Sequence, residues 1–219
     1  MKLKFRIFLL LIVMLNSALV GAEGVSTSRA NEPESHVPDM GLHLNGHSYE
    51  ILQNTSTLEF RVDSPVGDVW GSFQDFKGNF VMLNSATDNK PTVVEINTES
   101  LNTNAGFIRA MLKSESFFDV EKFPSMRFVS SSFEWFNESQ AVLKGEMTIQ
   151  ATTHPVAFYV TLVNANIKND YSERITVKVS TTIKRSEFGL YTLLPLVSDN
   201  VNIFMSIDAL KKKTAVSLR

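Results

Sequence analysis

Side chains able to do chemistry are scarce in this chain. It has four histidines and no cysteine. A disulfide framework, a thiolate zinc site and a thiol nucleophile are therefore out of reach. His36, His43 and His47 gather near Asp39, and His43 and His47 stand at i and i+4, a spacing that aligns two imidazoles for a metal when the backbone is helical. Gly41 and Gly46 work against a helix there, so these read as solvated loop histidines and no metal site is expected. His154 precedes Pro155 and reads as a structural turn residue. Nucleophile-elbow, paired-histidine protease, phosphate-loop and dinucleotide patterns are not found. The expectation is a binding protein without a cofactor rather than an enzyme.

Two cationic positions could meet a ligand. Arg109 stands among Phe107, Ile108, Met111 and Leu112. Its guanidinium offers a two-pronged fork to a pyrophosphate or a carbonyl. The alternative is a structural ion pair, or a solvated head on a buried stem. Lys184 and Arg185 read as a surface or capping pair.

The elements that must position these groups are mainly strands. Leu58, Phe60 and Val62 alternate with polar residues, as do Val69, Gly71 and Phe73, then Ala141 through Ile149, Ile175 through Ile183, and Val201 through Ile207. A period of two means one face toward an apolar interior and one toward water. Thr92–Asn97, Met126–Trp135 and Pro155–Asn166 read as further strands, giving about eight, with turns near Asn84–Pro91 and Lys168–Asp170. Long antiparallel strands in sequence suggest an up-and-down barrel, which also removes exposed strand edges. Gly71 and Gly145 fall at inward positions and would leave interior room. Only Asn104–Lys113 breaks the pattern, with Phe107, Ile108, Met111 and Leu112 at helical spacing. The expected fold is thus all-β, an eight-stranded antiparallel barrel with one short helix between strands.

Composition supports a single packed domain: hydrophobic residues make up 43% and charged residues 20%, a globular balance, with 16 Phe among 219 residues. Lys2, Lys4 and Arg6 precede an apolar run from Ile7 to Leu15, and Val20-Gly21-Ala22 suits a signal peptidase. Residues 1–22 are expected to be a signal peptide, 23–48 a loosely ordered leader, and 49–219 the barrel. Losing residues 1–22 removes three positive charges and no negative ones, taking the formal charge from −2 to −5. An acidic protein does not suit nucleic acid or electrostatic attachment to anionic lipid. Export without disulfides points to a periplasm, with an extracellular location as the alternative.

The order of several strings resembles the YceI-like, polyisoprenoid-binding family. They are Ser56–Val62, Val69–Gly78, Ser100–Thr103, Arg109–Ser114, the specific stretch Phe117–Phe128, Gly145–Ile149, Thr153–Val156 and Lys184–Gly189, together spanning about residues 49 to 210. The resemblance implies a lipocalin-like barrel whose internal tunnel holds a polyisoprenoid, a quinone-like tail or an acyl chain, for sequestration or carriage. It implies Phe60, Val62, Phe73, Phe107, Arg109, Met111, Phe117, Phe118, Phe128 and Phe158 as ligand contacts, with Phe188 a further aromatic for the tunnel. The alternative for these residues is a filled core, in a stress-related protein that acts through its outer surface. The chain departs from the family at Ser64, where a His is common, and at Ala110, where an Asp is common; both changes remove polar groups near the expected tunnel mouth. The hairpin glycine is replaced around Gln150-Ala151-Thr152. Oligomeric state is left open, with a homodimer among the alternatives.

Overall fold

The computed structural model describes residues 47–82, 91–137, 139–164 and 174–212. The expected signal peptide, the leader up to residue 46, His36, His43 and the turn at 168–170 lie outside the described residues. Among these residues are eleven strands and one α-helix: β1 (His47–Ile51), β2 (Thr57–Val62), β3 (Val69–Phe73), β4 (Phe76–Met82), β5 (Val93–Asn97), β6 (Leu101–Thr103), α1 (Gly106–Lys113), β7 (Ser125–Trp135), β8 (Gln140–Ile149), β9 (Thr152–Asn164), β10 (Arg174–Lys184) and β11 (Asn200–Lys211).

Eleven strands make eight staves. Following hydrogen-bonded neighbours, β1, β4, β5, β7, β8, β9, β10 and β11 form an antiparallel ring, closed where Tyr49 faces Lys211. The remaining strands continue three of these staves: β2 follows β1 and pairs with β11, β3 precedes β4 and pairs with β2, and β6 follows β5 and pairs with β3. The expected eight-stranded barrel is therefore present, with its first three staves each broken once.

The breaks lie side by side. Ile51 faces Ala209 and Thr57 faces Ser206, so six steps along the first stave span three along β11. The surplus residues form a single 3-10 turn at Gln53–Thr55. Ser56 fills the interrupted ladder, its hydroxyl donating to the Leu52 carbonyl (2.8 Å) and accepting from the Asp208 amide (3.0 Å). Gln53 Nε2 then donates to the Gln74 carbonyl at the second break (2.8 Å). At the third, the Asn97 amide donates to the Asp75 carbonyl (2.9 Å). Interrupted backbone groups need such partners, because an unpaired buried amide or carbonyl is costly.

Beyond this seam the wall opens. β5 pairs with β7 through residues 93–97, whereas β6 pairs with β3 and the chain then leaves as α1. The segment that returns to β7 is anchored by Thr98, whose amide donates to the Pro124 carbonyl and whose hydroxyl donates to the Phe123 carbonyl (3.0 and 2.7 Å). Helix α1 and residues 114–124 thus close one end of the barrel.

Candidate functional site

Inward alternation places the core inside the ring. Leu58, Phe60, Phe73, Met147, Ile149, Val177 and Ile183 are all buried at the phase expected of them. They do not fill the interior. An upper chamber of about 160 Å³ lies beneath α1, and a lower one of about 70 Å³ lies toward the opposite end. Ile96, Met147, Phe158 and Met205 line both, forming a waist between them. Thr92 in the lower chamber and Arg185 in the upper are the polar residues among otherwise apolar linings.

Eight of the ten sequence-derived contact residues line these spaces. Phe60, Val62, Phe73, Met111, Phe117 and Phe118 line the upper chamber, Phe128 the lower, and Phe158 both. Aromatic contacts fix their rings: Phe73 meets Phe60 at 5.8 Å and Phe118 edge-on at 5.7 Å, while Phe128 meets Phe158 edge-on at 5.0 Å. Phe188 is buried against His154 rather than in either lining.

The structure places the other two elsewhere. Phe107 is 81% exposed and lines neither chamber. On α1 the covering face is Ile108, Met111 and Leu112, and at 3.6 residues per turn Phe107 sits about 90° from the middle of that stripe. Arg109 is also exposed, its Nη1 donating to Asn102 Oδ1 (2.9 Å).

The interior room ascribed to the two glycines also needs correction. The ring of Phe60 occupies the space above Gly71, and the Val129 carbonyl, the Phe128 ring and the Ser130 Cα crowd the space above Gly145. Glycine admits a phenyl ring at Gly71 and a close backbone approach beside a ring at Gly145, rather than leaving a void.

Arg185 is a residue of this end that sequence reasoning misplaced. Lys184 is exposed as expected, but Arg185 is 5% exposed and points into the end of the barrel. Its Nε donates to the Ser198 carbonyl (2.9 Å), Nη1 to those of Leu190 and Thr192 (both 2.7 Å), and Nη2 to that of Val197 (3.0 Å). One guanidinium thus gathers the loop between β10 and β11 around itself. Burial pushes it below its ordinary value, opposed by the nearby Asp199 carboxylate. Burial would raise Asp199, but hydrogen bonds from the Ser186 hydroxyl and amide, with the Arg185 and Lys184 charges, hold it below the usual carboxylate range.

The gathered loop supplies Leu190, Leu193 and Val197 to the upper chamber, residues no sequence pattern singled out. Leu193 has φ +66°, a conformation that costs a bulky side chain on the order of 1–3 kcal/mol. Two ties hold this end together: the Thr192 hydroxyl donates to the Ser116 carbonyl (2.6 Å), and Gln150 Nε2 donates to the Phe117 carbonyl. Gln150 does so at φ +53°, a left-handed conformation that ordinarily favours glycine.

Comparison with known proteins gives one family. The family model for the YceI-like domain matches residues 49–209. A UPF0312 protein of Yersinia enterocolitica is 32% identical over 160 residues, covering 71% of this chain and 81% of that one. A UPF0312 protein of Pseudomonas putida (strain W619) is 29% identical over 146 residues, covering 66% and 75%. Among solved structures, Burkholderia cenocepacia BcnA aligns with a TM-score of 0.63 at 20% identity, over 72% of this chain and 98% of that one. A polyisoprenoid binding domain from Saccharophagus degradans, implicated in plant cell wall breakdown, aligns with a TM-score of 0.57 at 11% identity, over 75% and 98%. At these identities the structural likenesses speak for the fold.

Proposed function

The chain belongs to the YceI-like domain family, and from that membership we propose that it binds a long-chain apolar lipid inside the barrel, carrying or sequestering it without chemical change. The observation that carries this reading is the pair of apolar chambers laid end to end, with Ile96, Met147, Phe158 and Met205 lining both at the waist between them. A single chain threaded along the axis would touch both. The class of ligand is suggested by the polyisoprenoid-binding description of the Saccharophagus degradans domain.

Volume sets a condition on this function. A dry apolar cavity of roughly 150 Å³ takes a ligand the size of benzene, so chambers of about 160 and 70 Å³ must widen for a long chain. Met111, Met126, Met147 and Met205 line them, and methionine is the side chain best able to repack around a guest. Affinity would not follow total chain length. At about 0.8 kcal/mol per methylene, forty carbons would sum to roughly 30 kcal/mol, beyond the approximate ceiling of 18 to 21 for non-covalent complexes. A lipid already lies out of water in its membrane, so the protein competes only with that.

The proposed place of action is the periplasm, reached by cleavage near Ala22, with an extracellular location as the alternative. The rings packed over Gly71 and Gly145 favour one competing reading, a filled barrel that acts through its outer surface. Solvent extraction of the purified protein, followed by mass spectrometry, separates the two. A stoichiometric long-chain lipid is the expected result; protein purified from its own envelope without lipid would establish the filled barrel.

A further inference from the structure

Exposed large apolar side chains are unevenly distributed over the described residues. Of eleven, five (Val66, Phe107, Tyr191, Leu193 and Leu196) lie at the end of the barrel closed by α1. Phe107 adjoins Ile108, which lines the upper chamber, and Leu193 lines that chamber while being 44% exposed. Leu196 is 71% exposed on the same loop. The Ser198 amide donates to the Asp63 carbonyl (3.0 Å), which ties the turn bearing Val66 to this loop.

The loop itself is unusual for a surface segment. From Gly189 to Ser198 it carries no charged residue, although surface connections are normally polar. Arg185 holds four of its carbonyls, so apolar side chains are turned outward by a rigid support and not by looseness. Leu193 keeps its left-handed conformation within that support.

We infer that this rim docks on the surface of a lipid bilayer, with Phe107, Tyr191, Leu193 and Leu196 entering the boundary between headgroups and acyl chains. The inference rests on the lipid-carrier reading and adds where the lipid enters and leaves. What singles out a bilayer is continuity: the apolar rim runs through Leu193 into the apolar chamber. A chain passing from membrane to chamber along that path would not cross open water, where each exposed methylene raises the barrier. A protein partner would need the outer patch alone. Charges around the rim are mixed, with Arg109 and Lys122 exposed alongside Glu115, Glu121 and Glu187. That mixture matches a zwitterionic headgroup layer. Apolar burial, not net charge, then drives docking, and salt has little effect on it.

The absence of native cysteine makes the test direct. An environment-sensitive dye is placed in the full chain on Phe107→Cys, on Leu196→Cys, and on Tyr159→Cys at the barrel side as control. With phosphatidylcholine vesicles, the first two should shift to the blue and the third should not. The double variant Phe107→Ser with Leu196→Ser, neither of which lines a chamber, should take up pyrene-labelled hexadecanol from detergent micelles as the parent does. Its uptake from vesicles should slow about tenfold or more, since two apolar side chains no longer enter the lipid. Unchanged dyes at 107 and 196, or an unchanged vesicle rate, would overturn the docking while leaving the lipid carrier intact. Blue shifts that grow with protein concentration, without vesicles, would assign the rim to a second copy and overturn it too. A parent that takes up no probe even from micelles would sink the lipid-carrier reading, and the docking with it.

Discussion

Phe60 and Gly71 face each other directly across β2 and β3, and the phenyl ring lies over the glycine so closely that a Cβ there would stand 2.6 Å from ring atom Cε1. Each residue needs the other: the ring occupies the side-chain space that Gly71 leaves empty, and from there it lines the upper chamber. The pairing makes Gly71→Ala a test of how rigid the chamber wall is. We expect a loss of about 1–3 kcal/mol, the usual range for overpacking, measured by denaturant unfolding. Phe60→Leu in the same chain should recover much of it. Gly145→Ala should cost more, because its Cβ would stand 2.7 Å from the Ser130 Cα, backbone that cannot swing away. Equal losses at the two glycines would mean that the Phe60 ring is as immovable as backbone.

On the lipid-carrier proposal, the waist would set how far a chain can thread. Phe128 lies beyond it and Phe118 before it. Phe128→Trp should therefore shorten the bound chain while leaving occupancy near that of the parent. Phe118→Trp should reduce total occupancy. Met147→Ala, at the waist, should admit bulkier chains while lowering stability by about 2–5 kcal/mol. Mass spectrometry of extracted lipid reads chain length and amount, and thermal melting reports folding separately. Identical lipid profiles for both Trp variants and the parent would remove these side chains from the site.

Arg185 should behave as a keystone of the rim. Arg185→Lys keeps a charge but cannot span carbonyls of Leu190, Thr192, Val197 and Ser198 at once. We expect a loss of about 2–4 kcal/mol, comparable to orphaning one or two buried acceptors. Limited proteolysis should then cut first within 189–198. A lysine variant with parental melting and cleavage would show that the loop holds its shape unaided.

Acid should act through Asp208. Hydrogen bonds from the Thr176 hydroxyl (2.6 Å) and then from Arg174 hold its carboxyl below the ordinary carboxylate range. A carboxyl lowered in the folded state contributes stability that is fully present above its unfolded value of about 3.9 and is lost as pH falls through the folded value. Asp208→Asn should therefore be less stable than the parent above about pH 5, with the difference shrinking as pH drops below about 4. Melting temperatures across that range check it; a constant offset at every pH would assign the effect to geometry instead of charge.

Much of this protein was legible in its sequence, and the legible part has one cause. Alternation at Leu58, Phe60 and Val62, or at Ile175, Val177 and Val179, is a local property of an extended chain with one wet face, so the facing of the long strands and their closure into an eight-stave barrel could be read from it. The ordered strings from Ser56 to Gly189 likewise pointed to the family that the comparisons find. What the period could not reveal lies where it lapses. β6, at three residues, is too brief to display alternation; β1 and β4 are pieces beside a break that the period did not single out, and all three are held in register by neighbouring staves. Phe107 has the composition of a core residue but the wrong angle on α1 by about a quarter turn. Arg185 reads as surface because arginine usually is; only the folding of residues 190–198 back over it supplies the carbonyls that make its burial tolerable. The two chambers, their waist and the apolar rim are likewise gaps and edges between elements distant in sequence. A sequence pattern records which way each residue faces along its own strand; the space left between eight staves depends on how their side chains meet, and that is decided only when the barrel closes.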